Sequence, residues 1–264
     1  MPSIDLNCDL GESFGRWTLG DDAAMLAVVT SANIACGFHA GDPSIMHATV
    51  QAAMARGVGI GAHPGYLDLY GFGRRNILGD TPRDIERQTA YQVGALMGVA
   101  ANAGGRVTHV KTHGALGNRA AEEPELAEAV ARAIRSVDRE LAFVVMPGMA
   151  TERAGEAQGL RVVREIYADR AYADSGNLAP RSQPGAVIED SAAAAQRVVA
   201  MLETGAIVCA SGKRIPAAIE SVCVHGDTTG AAIMARELRA ALQAAGYTVA
   251  GFAAPASAKG TAQT

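Results

Sequence analysis

Short apolar runs that end in chemically capable residues recur along this chain. The run 4–6 leads into Asn7, Asp9 and Glu12, and the run 32–35 into Gly37, His39 and Asp42. Runs 58–62, 107–110 and 222–224 lead into His63, into Lys111 and His113, and into His225 and Asp227. Longer alanine-rich stretches of high helical propensity lie between them. The pattern predicts strands over 3–9, 30–36, 58–62, 107–112, 142–146, 161–166 and 219–225. It predicts helices near 21–28, 43–56, 81–104, 122–140, 149–158, 187–204 and 228–245. Asp42 before Pro43 and Thr81 before Pro82 read as N-caps followed by proline at the first helical position, and Asp84 completes a capping box with Thr81.

One segment breaks the alternation: 207–210 and 214–218 flank Ser211–Gly212–Lys213 and read as a β-hairpin. Segments 64–80 and 167–186 are long loops, which in a compact domain are usually functional. No GxGxxG follows the first strand and no GxxxxGK[ST] occurs, which argues against dinucleotide and Walker-loop folds. A closed or nearly closed β/α barrel fits the repeated units better. One domain over 1–253 is expected, with 254–264 a disordered tail.

Side chains two apart on a strand share a face. Asp5, Asn7 and Asp9 therefore lie together, as do Gly59, Gly61 and His63, then His109, Lys111 and His113, and finally Ser221, Cys223, His225 and Asp227. The opposite faces are apolar and suit packing under helices. The polar faces then point into one lumen, where charges are costly unless paired or ligated, so a shared site at the barrel mouth is the reading. Histidines with carboxylates suit a divalent metal, for which Asp9, His39 and His63 are the first candidates and Asp5 or Asp227 further oxygen ligands. A metal-free site using His and Asp as acid and base is the alternative. Lys111 can polarise a carbonyl or pair with Asp9 or Asp227. Arg74 and Arg75 on a glycine loop suit an anion, and Asp169, Arg170 and Arg181 in the long loop share that ambiguity with a solvated role. Glu165 is either a base or a partner of Arg170, and His47 reads as a packing residue of its helix.

Composition narrows the classes. With 23 basic against 27 acidic residues and a net charge of −4, nothing marks a nucleic-acid surface. No apolar stretch is long enough to span a membrane, and the first residues carry no signal-peptide pattern, so a cytoplasmic protein is expected. The four cysteines form no CxxC pair and read as buried free thiols.

The blocks DLNCDLGE (5–12), ANIACGFHAGD (32–42), GAHPGY and GFGRR (61–66 and 71–75), KTHGAL (111–116), EIYADRAY (165–172) and CVHGD (223–227) closely resemble the LamB/YcsF family. The resemblance covers about residues 3–250. It implies an incomplete, seven-stranded β/α barrel similar to polysaccharide deacetylases and related glycoside hydrolase barrels. It also implies the role of the A subunit of a bacterial 5-oxoprolinase, which with subunits B and C uses ATP to open 5-oxo-L-proline to L-glutamate. On the matching positions, Asp9, Lys111, His113, His225 and Asp227 are taken as catalytic. Asn7, Glu12, Asn33, Arg74, Arg75, Asp169, Arg170 and Arg181 are taken as substrate-binding. The chain departs from the family at Thr112 and Gly117, where the family's block carries proline and tyrosine, and at Ser175–Gly176. A stand-alone metal-dependent amidase or carbohydrate deacetylase, and a non-catalytic binding subunit, are the competing readings.

Overall fold

The computed structural model describes residues 1–227 and 230–252. The expected tail at 254–264 and the first two residues of the helix expected from 228 lie outside them. In chain order the elements begin β1 (Ser3–Leu10), α1 (Asp22–Leu26), β2 (Ser31–Ala35), α2 (Pro43–Met54), β3 (Gly59–His63), α3 (Pro82–Asn102) and β4 (His109–Lys111). They continue with α4 (Gly114–Glu122), α5 (Pro124–Val137), β5 (Ala142–Val145), α6 (Ala150–Ala157), β6 (Arg161–Tyr167) and α7 (Ser191–Thr204). Last come β7 (Ala206–Val208), β8 (Arg214–Pro216), β9 (Ser221–Cys223), α8 (Ala231–Ala244) and β10 (Thr248–Val249).

Strands β1 to β6 pair in sequence, β6 pairs with β9, and β9 returns to β1, all in parallel. The ring is a seven-stranded β/α barrel, one strand short of the eightfold form. β10 extends β1 outside the ring, and β7 with β8 forms the antiparallel hairpin. Both predicted caps form: the Asp42 carboxylate accepts from the amides of Ser44 and Ile45, and Thr81 with Asp84 closes a capping box.

The helix expected over 122–140 is instead α4 and α5. Glu123 is extended (φ −97°, ψ 106°) ahead of Pro124, whose ring disfavours a helical residue before it. α4 begins directly after His113, within a block whose strand-like start conceals a helix.

The outer faces of the strands carry Ile4, Leu6, Ile34, Ile60, Val110, Phe143, Ile166 and Val222, all buried in the main apolar core. The lumen is polar. At its amino end, Thr30 and Ser31 hydroxyls donate to Asp5 Oδ1 at 2.7 Å each, and Ser221 donates to its other oxygen. Asn7 links upward, donating to Ser221 Oγ (2.7 Å) and Glu165 Oε2 (3.2 Å). Asn33 donates to Asn7 Oδ1 (2.8 Å) and Asp9 Oδ1 (2.9 Å). Phe252 meets the His109 ring edge-on at 5.1 Å and packs with Ala142, Val144 and Val163 as a small apolar plug.

Gly61 admits His109 to the lumen, because a Cβ there would overlap the imidazole. Gly61→Ala is expected to cost about 1–3 kcal/mol of stability in a urea melt, with part recovered by adding His109→Ala. A wild-type midpoint for the single variant would contradict this packing.

Burial pushes the Asp5 carboxyl up to about 6 despite its three hydroxyl donors, with Glu165 adding to the rise. Its folded value exceeds its unfolded one, so its contribution to stability is greatest below pH 4 and is lost as pH rises through 6. The interval between the ordinary 3.8 and about 6 corresponds to roughly 3 kcal/mol. The stability of Asp5→Asn relative to wild type should therefore rise by that order between pH 4 and 7. A pH-independent difference would show that Asp5 is ionised throughout.

Candidate active site

A cavity of about 640 Å³ opens at the carboxyl mouth of the barrel. Its floor is Lys111, delivered by β4 and 2% exposed. The ammonium donates to Asp9 Oδ1 at 2.8 Å and lies 3.5 Å from Glu165 Oε2, 2.9 Å from Cys223 Sγ and 5.0 Å from the centre of the Tyr167 ring. Burial works against this charge, but Asp9, Cys223 and Glu165 outweigh it and hold the lysine well above its ordinary range. Burial likewise works against the Asp9 carboxylate, but His63 and Lys111 drive it well below its usual range. The pair is thus charged at neutral pH.

Beside the lysine stand three imidazoles and one carboxyl. His39 and His113 stack face to face, with centroids 3.7 Å apart and planes at 3°. His63 meets both edge-on, at 5.5 and 4.9 Å. Glu12 Oε1 is 3.5 Å from His39 Nε2 and 3.5 Å from His113 Nδ1. One ligating atom from each of Glu12, His39, His63 and His113 can be chosen so that all lie within 4.8 Å of one another.

Glycines make the room: a Cβ at Gly73 (φ +61°) would stand 2.7 Å from His39 Cβ, and one at Gly65 would stand 2.8 Å from His39 Nδ1. Burial pushes His39 and His113 well below the ordinary histidine range, keeping them neutral, and burial with Asp9 and Asp227 pushes Glu12 up. Both ring nitrogens of His39 and Glu12 Oε1 are buried with no hydrogen-bond partner. Such groups are expensive to bury unsatisfied, and neutral imidazoles with a carboxyl oxygen are a donor set that fits a divalent cation.

On another wall His225 Nδ1 lies 2.8 and 2.9 Å from the two Asp169 oxygens, which leaves Nε2 as the ring's other polar atom. Burial raises Asp169, but the charge and hydrogen bond of His225, with Arg181, bring it below the usual value. Tyr167 stacks on the His225 ring at 5.5 Å. Three guanidiniums border the same space. Arg74 pairs with Asp227 at 2.6 Å, whereas Arg170, 4% exposed, donates to the carbonyls of Ala179 and Ala186 and forms no carboxylate ion pair among the described residues. Arg181 lines the cavity with them. Burial lowers both Arg170 and Arg181, with Arg181 and Arg74 adding to the fall of Arg170 and Arg74 to that of Arg181.

Of the residues singled out in the sequence, Asp9, His63, Arg74, Lys111, His113, Arg170, Arg181 and His225 line the cavity. Asn7 and Asn33 lie beneath it as links between lumen side chains, and Asp169 and Asp227 stand behind His225 and Arg74. Arg75 is apart, paired with Asp68 on the 64–80 loop, because Asp68 also accepts from the Gly71 amide and captures it there. Asp5, considered as an oxygen ligand, is held by hydroxyls at the opposite end of the lumen. Glu165 pairs with Lys111 rather than Arg170.

The four-residue cluster contains His39 and His63 but replaces Asp9, which is committed to Lys111 and Asn33, with Glu12 and His113. The signal for His113 was the alternation itself, one step past Lys111. Glu12 follows Gly11, whose φ of +67° breaks the strand alternation after Leu10, so it carried no periodic signal. Asn118, Glu122 and Asn177 form a further flank that motif reading passed over, beside Thr112 and Gly117, where the chain departs from the family's block.

A parallel β/α barrel with convergent acids, bases and cations at the carboxyl ends of its strands is the architecture of a barrel enzyme. The chain belongs to the LamB/YcsF family, whose model matches residues 4–257. It is 57% identical over 250 residues to a protein of Rhodopseudomonas palustris (strain BisB5) named as the A subunit of 5-oxoprolinase, covering 95% of this chain and 98% of that one. It is 55% identical over 252 residues to a 5-oxoprolinase A subunit of Bradyrhizobium diazoefficiens, covering 96% and 98%. Among solved structures it is similar to the lactam utilization protein from Thermus thermophilus, with TM-score 0.88, 41% identity and coverage of 95% and 100%.

Lys111→Met would leave Asp9 and Glu165 buried without their cation. A loss of about 3–5 kcal/mol is expected in chemical denaturation, and an unchanged midpoint would show that the carboxylates are satisfied without it.

Proposed function

We infer that this chain is the A subunit of a 5-oxoprolinase and hydrolyses the lactam of 5-oxo-L-proline to L-glutamate. The observation that carries the reading is 57% identity, along 95% of the chain, to a protein of that name. The site chemistry supports it. Opening the ring requires a held carboxylate, a polarised carbonyl, an attacking water and a proton for the departing nitrogen. Arg170 and Arg181, without carboxylate ion pairs of their own among the described residues, suit the substrate carboxylate. Lys111 stabilises negative charge developing on the lactam oxygen.

Asp9, bonded to Lys111 and 3.3 Å from His63, is placed to orient the attacking water and accept its proton. Water adds to the ring carbonyl carbon. The carbon–nitrogen bond then breaks with its electrons on nitrogen, and the nitrogen takes a proton from His225, whose ring Asp169 orients. His113 stands beside His63 in the Glu12 cluster, and Asp227 serves this machinery by holding the guanidinium of Arg74.

The lactam is a stable amide whose product recloses, so turnover is coupled to ATP. The nucleotide is a substrate of the whole complex, with subunits B and C as partners: its γ-phosphoryl passes to the lactam oxygen with ADP leaving, ring opening then yields γ-glutamyl phosphate, and a second water cleaves that acyl phosphate to L-glutamate and inorganic phosphate. A divalent cation at the Glu12 cluster fits the same chemistry and, when bound, would act as a Lewis acid toward the carbonyl.

The reading is tested in a complex reconstituted with B and C, following glutamate and phosphate with and without ATP. Asp169→Asn and His225→Ala should each lower kcat by about 10²–10⁴, with Asp169→Asn also shifting the pH profile. Wild-type turnover by both variants would remove the acid assignment. Full turnover without ATP would replace this reading with a stand-alone amidase.

A further inference from the structure

His63 and His113 cannot both be satisfied by hydrogen bonds. His63 Nδ1 lies 2.7 Å from the carbonyl oxygen of Lys111, and His113 Nε2 lies 2.8 Å from that of Phe72. A carbonyl only accepts, so each of these nitrogens carries the ring's proton. The remaining nitrogens, His63 Nε2 and His113 Nδ1, are then bare lone pairs, yet they face each other at 3.0 Å. His39 adds two buried nitrogens without a partner and Glu12 a buried oxygen without one. Four electron-pair donors lie within 4.8 Å of one another.

We propose that Glu12, His39, His63 and His113 form a nitrogen-rich centre for Zn²⁺ or a chemically similar late first-row cation, distinct from any Mg²⁺ that accompanies a nucleotide. Ligands about 2.0–2.1 Å from a tetrahedral ion stand about 3.3 Å apart; three of the six separations here are 3.0, 3.5 and 3.5 Å, and all lie within 4.8 Å, so small ring rotations bring the set to an ion. The donor type selects the ion, since Mg²⁺ demands oxygen ligands and keeps its waters, whereas imidazole suits zinc, copper, nickel and iron. The Lys111 and Phe72 carbonyls are the outer partners that such ligands use to fix tautomer and ring orientation.

Asp9 stands outside the set. Its Oδ1 is committed to Lys111 and Asn33, and its Oδ2 lies 3.3 Å from His63 Nε2. The competing arrangement is metal-free, with an extra proton on His63 held by Asp9. The proposal deepens the hydrolase reading, but ion binding itself does not depend on it.

The test uses the full chain, expressed without a histidine tag. Elemental analysis after dialysis should find about one transition-metal equivalent per chain. Reloading the stripped protein with Co²⁺ should produce visible ligand-field bands that excess Mg²⁺ does not abolish. Glu12→Gln and His113→Gln should each weaken Co²⁺ binding about tenfold or more, with the circular dichroism of the stripped proteins unchanged, while Asp9→Asn keeps the bands. Absence of stoichiometric metal and of cobalt bands, equal competition by Mg²⁺, or loss of the bands in Asp9→Asn but not in Glu12→Gln would each overturn the proposal. Metal bound in a chain whose complex opens no lactam would sink the hydrolase reading and leave this one standing, whereas full lactam turnover by a chain that takes up no transition metal would sink this one.

Discussion

The buried ammonium of Lys111, between the carboxylates of Asp9 and Glu165, is the interaction on which the rest of the lumen depends. Three charges within hydrogen-bonding reach, each 5% exposed or less, are stable only as a set. Asp9 holds Asn33, Asn33 holds Asn7, and Asn7 holds Ser221 and Glu165, so the network ties β1, β2, β4, β6 and β9 together from inside. The apolar outer faces would fix a barrel without it. The polar lumen fixes which barrel, with its charges aimed at the mouth.

That arrangement divides the mouth into three chemically different walls. Lys111 and Asp9 supply a charged floor, the guanidiniums an anion-binding edge, and the histidines two separate devices. His225 has a carboxylate partner and suits proton transfer. His39, His63 and His113 are turned toward each other, with their protons spent on backbone carbonyls or, for His39, with no partner. The same residue type suits proton transfer in one place and ligation in the other according to what stands behind each ring.

Much of this was legible in the sequence because β-strand alternation is strict. Asp5, Asn7 and Asp9, then His109, Lys111 and His113, fell on the lumen face as their two-residue spacing required. The blocks shared with the LamB/YcsF family carried the functional reading that alternation alone cannot reach. What was not legible depended on partners far away in sequence. Arg75 matched its neighbour Arg74 in type and context, yet Asp68 captures it. Asp169 resembled a ligand-binding loop residue until the fold placed His225 against it. α4 was hidden because Lys111 to His113 reads as strand and the helix starts at the next residue. That Glu12 and His113 rather than Asp9 gather with His39 and His63 turns on which carboxylate Lys111 claims, a contact made in three dimensions.

The most direct test of the central claim is a crystal structure of the chain with 5-oxo-L-proline bound. The account predicts the ligand in the mouth cavity, its carboxylate on Arg170 and Arg181 and its ring carbonyl toward Lys111 and the Glu12–His39–His63–His113 cluster. A lactam bound outside this cavity, or with its carboxylate on the histidines and its carbonyl turned to solvent, would contradict it.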